Sequence, residues 1–405
     1  MQASHLDRPI FASTTYLLAA RGLRDFGDGF VAVLLPAYLL ALGFSPLQVG
    51  IVATAALFGS ALLTIAVGFL GPRYDHRHLL LAAASMMMAT GVAFALVHDY
   101  ALLLVVSFAG TINPSAGSVS IFVPIEHAVL AREVADNVRT KMFARYSLVG
   151  ALAGAAGALA AAVPDLLAPF GLDQMMAIKA MFVFYALLGA VGGLVYARIP
   201  RHRPSSEHAI PTALGPSRRI VYKLAALFSL DAFAGGFVVQ SLLALWLFER
   251  FDLSLAAAGV FFFWSGVFAA FSFPVAAWLS RHIGLVNTMV FTHIPSNIAL
   301  ILAAMAPTLP IALTLLLIRA ALSQMDVPTR SSYVMAVVTP AERAAAASLT
   351  SVPRSLAAAA SPALAGALFA ASFRAWPLVI CGALKIVYDL LLLVQFRHTK
   401  PPEEQ

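Results

Sequence analysis

The chain has 405 residues, 61% of them hydrophobic and only 11% charged, with a mean hydropathy of +0.87, a balance that excludes a water-soluble globular protein. Its 26 Lys and Arg against 19 Asp and Glu leave a net charge of +7, but the cations are scattered among separate short loops, which excludes a nucleic-acid surface. One cysteine, Cys381, excludes both a disulfide framework and a thiolate metal site.

Apolar runs of about 20 residues or more, the length that crosses a bilayer, recur between short polar breaks. They predict twelve helical spans: 14–42, 46–71, 77–97, 101–126, 142–163, 175–198, 220–249, 255–279, 285–305, 309–337, 345–371 and 375–396. None shows the alternation of a membrane strand. Asp7, Arg8 and Pro9 precede the first run, which lacks a small-residue cleavage site and so reads as a retained helix rather than a signal peptide.

Span 1 carries Arg21, Arg24, Asp25 and Asp28 at i, i+3, i+4 and i+7, one polar stripe on an otherwise apolar helix. Each charge costs on the order of 2.5–3.5 kcal/mol inside a bilayer, so the stripe must face a partner or a water-filled path. Asp25 and Asp28 fall near the midplane, where a carboxylate suits proton binding and release; they are the expected proton-coupling residues, with Arg24 in a substrate site. The i, i+4 spacing also allows Arg21 to pair with Asp25 and Arg24 with Asp28, and the competing reading is that these pairs only neutralise each other. In span 4, Asn113 and Pro114 mark freed backbone carbonyls that line a cavity or bend the helix, and Glu126 and His127 close the span, with Glu126 a further proton carrier. Arg145 begins span 5 near the cytoplasmic face, and Gly150, Gly154 and Gly157 read as close helix packing.

Residues 200–219, with four prolines, three serines and a charge cluster, read as a cytoplasmic linker. Beyond it, Asp231 in span 7 stands 207 positions after Arg24, so the halves present opposite charges at equivalent places. Phe261, Phe262, Phe263 and Trp264 in span 8 offer an aromatic wall, part of which at most faces a cavity. His293 in span 9, near Pro295 and Asn297, reads as a hydrogen-bonded membrane histidine rather than a metal ligand. Span 10 repeats the stripe motif with Arg319, Ser323, Asp326 and Arg330 at i, i+4, i+7 and i+11, and Gln324 and Pro328 between them. Arg319 is permanently charged at mid-depth and needs an anion, from Asp25, Asp28 or the substrate. Arg330 lies nearer the cytoplasm and reads equally as a gate or headgroup contact or as a site residue. Arg354 begins span 11 as Arg145 begins span 5; both are expected in a gating or structural role, paired with Glu126, Asp326 or helix C-terminal carbonyls. Lys385 and Asp389 in span 12 form an expected i, i+4 pair.

Arg73 and Arg77 follow span 2; Arg132, Arg139 and Lys141 follow span 4; Arg198, Arg201, Arg203, Arg218 and Arg219 follow span 6; Arg281, Arg343, Arg397 and Lys400 follow spans 8, 10 and 12. The opposite loops carry Asp99, Asp165, Asp173 and Asp252 with few cations, chiefly Arg250 and Arg374. The positive-inside rule therefore places both termini in the cytoplasm. The halves also repeat: Gly29-Phe30-Val31 against Gly236-Phe237-Val238, Arg73 against Arg281, Arg145 against Arg354, and Gly157-Ala158-Leu159 against Gly366-Ala367-Leu368, at a nearly constant offset. Two parallel six-helix repeats suit a transporter with a central site.

Over essentially its whole length the chain resembles the major facilitator superfamily (MFS), in its six-plus-six topology, long middle loop and basic loops after spans 2 and 8. Of the family's loop signature, Gly-x-x-x-Asp-Arg-x-Gly-Arg-Arg, the stretch from Gly68 to Arg77 keeps Gly68, Arg73 and Arg77, with Pro72 and Asp75 where Asp and the second Gly stand in the family. In the second half Arg281 alone is kept. The resemblance implies an all-α polytopic membrane protein of twelve helices in two six-helix bundles, 1–199 and 220–405, joined by the linker.

The function expected is secondary active transport of a small organic, anionic or amphipathic solute across the cytoplasmic (inner) membrane, by alternating access and coupled to protons. The protein is expected to be no enzyme, to use no cofactor and no metal, to bind no nucleic acid, and to act as a monomer whose partners are the substrate, protons and the lipid bilayer. Asp25, Asp28 and Glu126 are assigned to proton coupling. Arg24, Asn113, Asp231, Arg319, Gln324 and Asp326 are assigned to substrate binding, and Arg73, Arg145, Arg281, Arg330 and Arg354 to gating or structure. A transporter-like sensor without turnover and a metal-ion exporter remain as alternatives.

Overall fold

The structure, a computed structural model, describes residues 7–70, 73–115, 120–134, 136–201, 215–339 and 342–396. Pro72, Arg203, Arg397, Lys400 and most of the expected linker lie outside the described residues. The protein is an all-α polytopic membrane protein. Among the described residues it forms α1 Asp7–Ala41, α2 Pro46–Leu70, α3 His76–Leu96, α4 Tyr100–Ala109, α5 Phe122–Glu133, α6 Asp136–Ala160, α7 Val163–Leu167, α8 Gln174–Tyr196 and α9 Arg218–Gly236. There follow α10 Gln240–Phe251, α11 Leu255–Ile283, α12 Leu285–Ala304, α13 Leu309–Ser323, α14 Asp326–Ala336, α15 Arg343–Ala360, α16 Pro362–Ala370 and α17 Trp376–Phe396. Nine helical stretches among the described residues are long and apolar enough to cross a membrane, which is consistent with twelve spans once α1, with its charged stripe, and the broken spans are considered.

Five expected spans are broken in two, and the sequence shows why. After α4, Gly110 turns extended and Asn113 precedes Pro114; proline disfavours helical backbone in the residue before it, and the Asn113 side chain accepts from Ser115 N at 2.9 Å. The break between α6 and α7 tightens through bonds from Ala161 N to Ala158 O and from Ala162 N to Leu159 O, ahead of Pro164. Its counterpart in the second half lies at Ser361, where Pro362 starts α16 and the Ser361 hydroxyl donates to Phe233 O at 2.5 Å. Breaks also separate α9 from α10 at 237–239 and α13 from α14 at 324–325. Loop acids serve as caps: Asp75, Asp99 and Asp173 accept from Arg77 N, Leu102 N and Met176 N at 2.9, 3.0 and 3.1 Å. Asp75, which departs from the family signature, thus begins α3.

The chain divides into two compact units, 1–45 with 55–208 and 253–263, and 46–54 with 209–252 and 264–405. In the first, α1 packs on α6 and α8, and α3 on α8. The α1–α6 crossing is a glycine contact: a Cβ on Gly29 would run into the Gly154 carbonyl, and one on Gly157 into the Phe26 carbonyl. In the second unit α9 packs on α15 and α17, and α12 on α13 and α17. Its core gathers Leu224, Phe228, Met289, Tyr333, Tyr388 and Leu392. Leu96, Phe69 and Val394 are 70%, 75% and 70% exposed, as lipid-facing side chains of a membrane protein are.

Candidate functional site

Each unit contains one buried cluster of charges. In the first, α1 delivers its stripe as expected, but the partners divide it. Arg21 Nη2 meets Asp25 Oδ2 at 2.8 Å. Arg24 does not pair with Asp28; its Nη1 reaches Glu126 Oε2 on α5 at 2.8 Å, and its Nε lies 3.3 Å from Asp25 Oδ1. The reason is that Glu126 is already aimed at it: Tyr146 on α6 donates to Oε2 at 2.5 Å and Tyr196 on α8 to Oε1 at 2.6 Å. Both carboxylate oxygens of Glu126 therefore have donors, and removal of either phenol leaves a buried acceptor short. The guanidinium of Arg21 lies 4.7 Å over the Tyr146 ring, and that of Arg24 4.7 Å over Phe122.

Asp28 is different. Only 2% exposed, it accepts from the Tyr185 hydroxyl at 3.2 Å, and among the described residues no salt bridge reaches it. The same hydroxyl stands 3.2 Å from Thr111 O and 3.3 Å from Thr111 Oγ1, just past the end of α4. Asn113, also buried, shapes that break.

The second cluster is centred on Asp231 of α9. Lys385 Nζ approaches its Oδ1 at 2.5 Å, and Arg330 Nη1 its Oδ2 at 3.1 Å. Arg330 also pairs with Asp326 at 2.9 Å, one turn back on α14. The expected Lys385–Asp389 pair is not formed, because Lys385 reaches across to α9 while Asp389 turns to α12. There His293 Nδ1 lies 2.9 Å from Asp389 Oδ1 and Asn297 donates to Oδ2 at 3.4 Å. His293 is thus hydrogen-bonded. Gly235, which stands where span 1 has Asp28, lies beside this arrangement: a Cβ there would make ordinary contact with Lys385 Cε at 3.7 Å.

Arg319 and Arg354 are partly buried and have Nε atoms sealed from solvent without a hydrogen-bond partner. Neither forms a salt bridge among the described residues. The pairing expected of Arg145 and Arg354 with Glu126 or Asp326 is not formed, since those carboxylates hold Arg24 and Arg330, and Arg145 is exposed. Arg73 and Arg281 are exposed, and Gln324 ends α13. Sequence reasoning missed Tyr146, Tyr185 and Tyr196. The available signal was general: a tyrosine buried in a membrane span must find a partner for its hydroxyl.

The profile of the Major Facilitator Superfamily matches residues 17–323. The chain belongs to the Major Facilitator Superfamily. Among MFS-fold structures, it resembles a bacterial homologue of the human lysosomal transporter Spinster at a TM-score of 0.69 and 14% identity, covering 96% of this chain and 95% of that one. It also resembles the nucleoside transporter NupG, at 0.71 and 14%, over 95% and 99%. An uncharacterised membrane protein of Saccharomyces cerevisiae, YJR124C, is 24% identical over 94% of this chain and 93% of its own. This MFS chain is a multi-pass membrane transporter, of a family that binds small-molecule substrates within a membrane.

Proposed function

We propose that this chain is a proton-coupled secondary transporter of a small organic anion, working by alternating access of its two six-helix halves, 1–199 and 220–405, about the linker at 200–219. One observation carries the coupling: every other carboxylate of the first cluster touches a guanidinium, whereas among the described residues Asp28 meets a phenol and no salt bridge. A proton added at Asp28 removes an unpaired charge; a proton added at Asp25 or Glu126 would create one on Arg21 or Arg24. Asp28 is therefore the proton site, and Asp25 and Glu126 hold the arginines in place beside it.

On this reading Arg319 supplies the cation for the substrate's anionic group, with Asp231, Gln324 and Asp326 the other substrate-binding residues of its unit and Asn113 and the immobilised Arg24 those of the first. Arg73, Arg145 and Arg281 contribute at the cytoplasmic gate, and Arg330 ties α14 to α9. The protein acts as a monomer in the cytoplasmic membrane with both termini inside.

The test uses pyranine-loaded proteoliposomes given a panel of four- to eight-carbon mono- and dicarboxylates under an imposed pH gradient. Asp28→Asn should abolish substrate-dependent proton movement while leaving exchange of substrate across the membrane intact. Proton movement unchanged in Asp28→Asn overturns the assignment.

A further inference from the structure

When the charges gathered around Asp231 are matched pair by pair, two arginines of the same unit remain unmatched among the described residues. Asp231 is shared by Lys385 and Arg330, Asp326 is held by Arg330, and Asp389 is held by His293. Two carboxylates, Asp231 and Asp326, thus balance two cations, Arg330 and Lys385, and the third, Asp389, has its own partner. Arg319 and Arg354 are left without a carboxylate, each with a sealed, unbonded Nε. Both stand on helices packed against those that carry the cluster: Arg354 on α15, which packs on α9, and Arg319 on α13, which packs on α12. Arg354 lies within electrostatic reach of Arg330, Asp231 and Asp326, and Arg319 of Cys381, which in turn feels Lys385 and Asp231.

Two always-charged groups at membrane depth with no internal counterion are costly unless something else brings the negative charge. A carboxylate could have been supplied from within, as it is for Arg21, Arg24 and Arg330, and here it is not. We infer that the cargo brings it: the substrate of this site carries two negative charges, one met by Arg319 and one by Arg354. The inference rests on the transport reading above and deepens it, since a monoanion would leave one guanidinium uncompensated in the loaded state. It also moves Arg354 from the gating role its sequence position suggests into the binding site.

The experiment is ligand-dependent thermal unfolding of the purified full-length protein in detergent at constant ionic strength. The probes are the dicarboxylates succinate, glutarate, adipate and suberate, the monocarboxylates of matching length, and inorganic phosphate as a compact dianion. A dianion should half-saturate at a concentration at least tenfold below that of its monoanionic counterpart. In Arg319→Gln and in Arg354→Gln alike, that preference should vanish, leaving dianion and monoanion equal; Arg374→Gln, at an exposed cation, should keep it. Without ligand, both cluster variants should melt above the wild type, because each removes an uncompensated charge, and this shows that they fold. An optimum in dicarboxylate length means two separated anionic groups, and a preference for phosphate means one compact dianion; both uphold the inference. Equal binding of mono- and dianions, no binding by any dianion, or a preference that survives either substitution overturns it. Proton coupling fails separately: dianion selectivity lost in both arginine variants, with proton movement unchanged in Asp28→Asn, keeps this inference and discards the coupling.

Discussion

Gly150 shows how a single absent side chain sets a charge in place. A Cβ there would lie 2.5 Å from both Arg21 Nε and Asp25 Oδ2, so the ion pair keeps this position only while α6 presents a hydrogen atom at that point. Gly154, one turn on, would bring its Cβ no closer than 3.5 Å to Asp25 O. Gly150→Ala should therefore cost about 2–4 kcal/mol by prising open a buried pair, and Gly154→Ala should be nearly neutral, a contrast readable by thermal unfolding in detergent. Tyr196→Phe should cost roughly 1–3 kcal/mol, the penalty for leaving Glu126 Oε1 without its donor, measured in the same way. The glycines were legible in the sequence as packing residues, but their division into one that accommodates charge and others that bring backbones together was not. That division depends on which neighbour each faces across the helix crossing, and a one-dimensional pattern carries no such information.

At the scale of elements, the break at Asn113-Pro114 was legible, because an X-Pro step acts through neighbouring residues; the Asp caps and the other breaks were not read. The partners of Glu126, Lys385 and Asp389 were not, because each is chosen among helices distant in sequence. Glu342, ahead of α15, joins elements in this way. Its carboxylate accepts from Thr339 Oγ1 at 2.6 Å, Ser217 Oγ at 2.7 Å and Gly215 N at 2.5 Å, latching the entry of α9 to the loop before α15. The hydroxyls of Thr339 and Ser217, with the backbone donors of Gly215 and Ser217, pull the carboxyl down from its ordinary 4.5 to about 2. A carboxyl depressed on folding stabilises above its unfolded value and loses that contribution as pH falls through its folded one. The latch should thus be complete above about pH 4.5 and be lost toward pH 2. Glu342→Gln should lower the melting temperature at pH 7 and flatten its dependence between those values; an unchanged acid limb would contradict the latch.

Across the whole molecule, span lengths, the repeat and the distribution of loop cations made the fold class and the family readable, since membrane thickness and orientation act on every span alike. The clusters were half readable: the charged residues announced themselves, their pairings did not. Orientation has a direct check, because Cys381 is fully buried and is the only cysteine. A membrane-impermeant maleimide should leave the wild type unlabelled. Phe170→Cys, at an 81% exposed position between α7 and α8, should label in intact cells, whereas Tyr74→Cys, 54% exposed ahead of α3, should label only after permeabilisation. The reverse pattern would place the termini outside.

The hydroxyl of Tyr185 owns one hydrogen and has two carbonyl-type acceptors at the same distance, Asp28 Oδ1 and Thr111 O. When the acid is charged, that hydrogen is spent on it. Once the acid carries its own, the hydrogen is free to turn to Thr111, at the joint between α4 and α5. Protonation on α1 would thereby be spelled out in the backbone just past α4 through one rotating O–H bond, a message small enough to be erased by replacing a single oxygen.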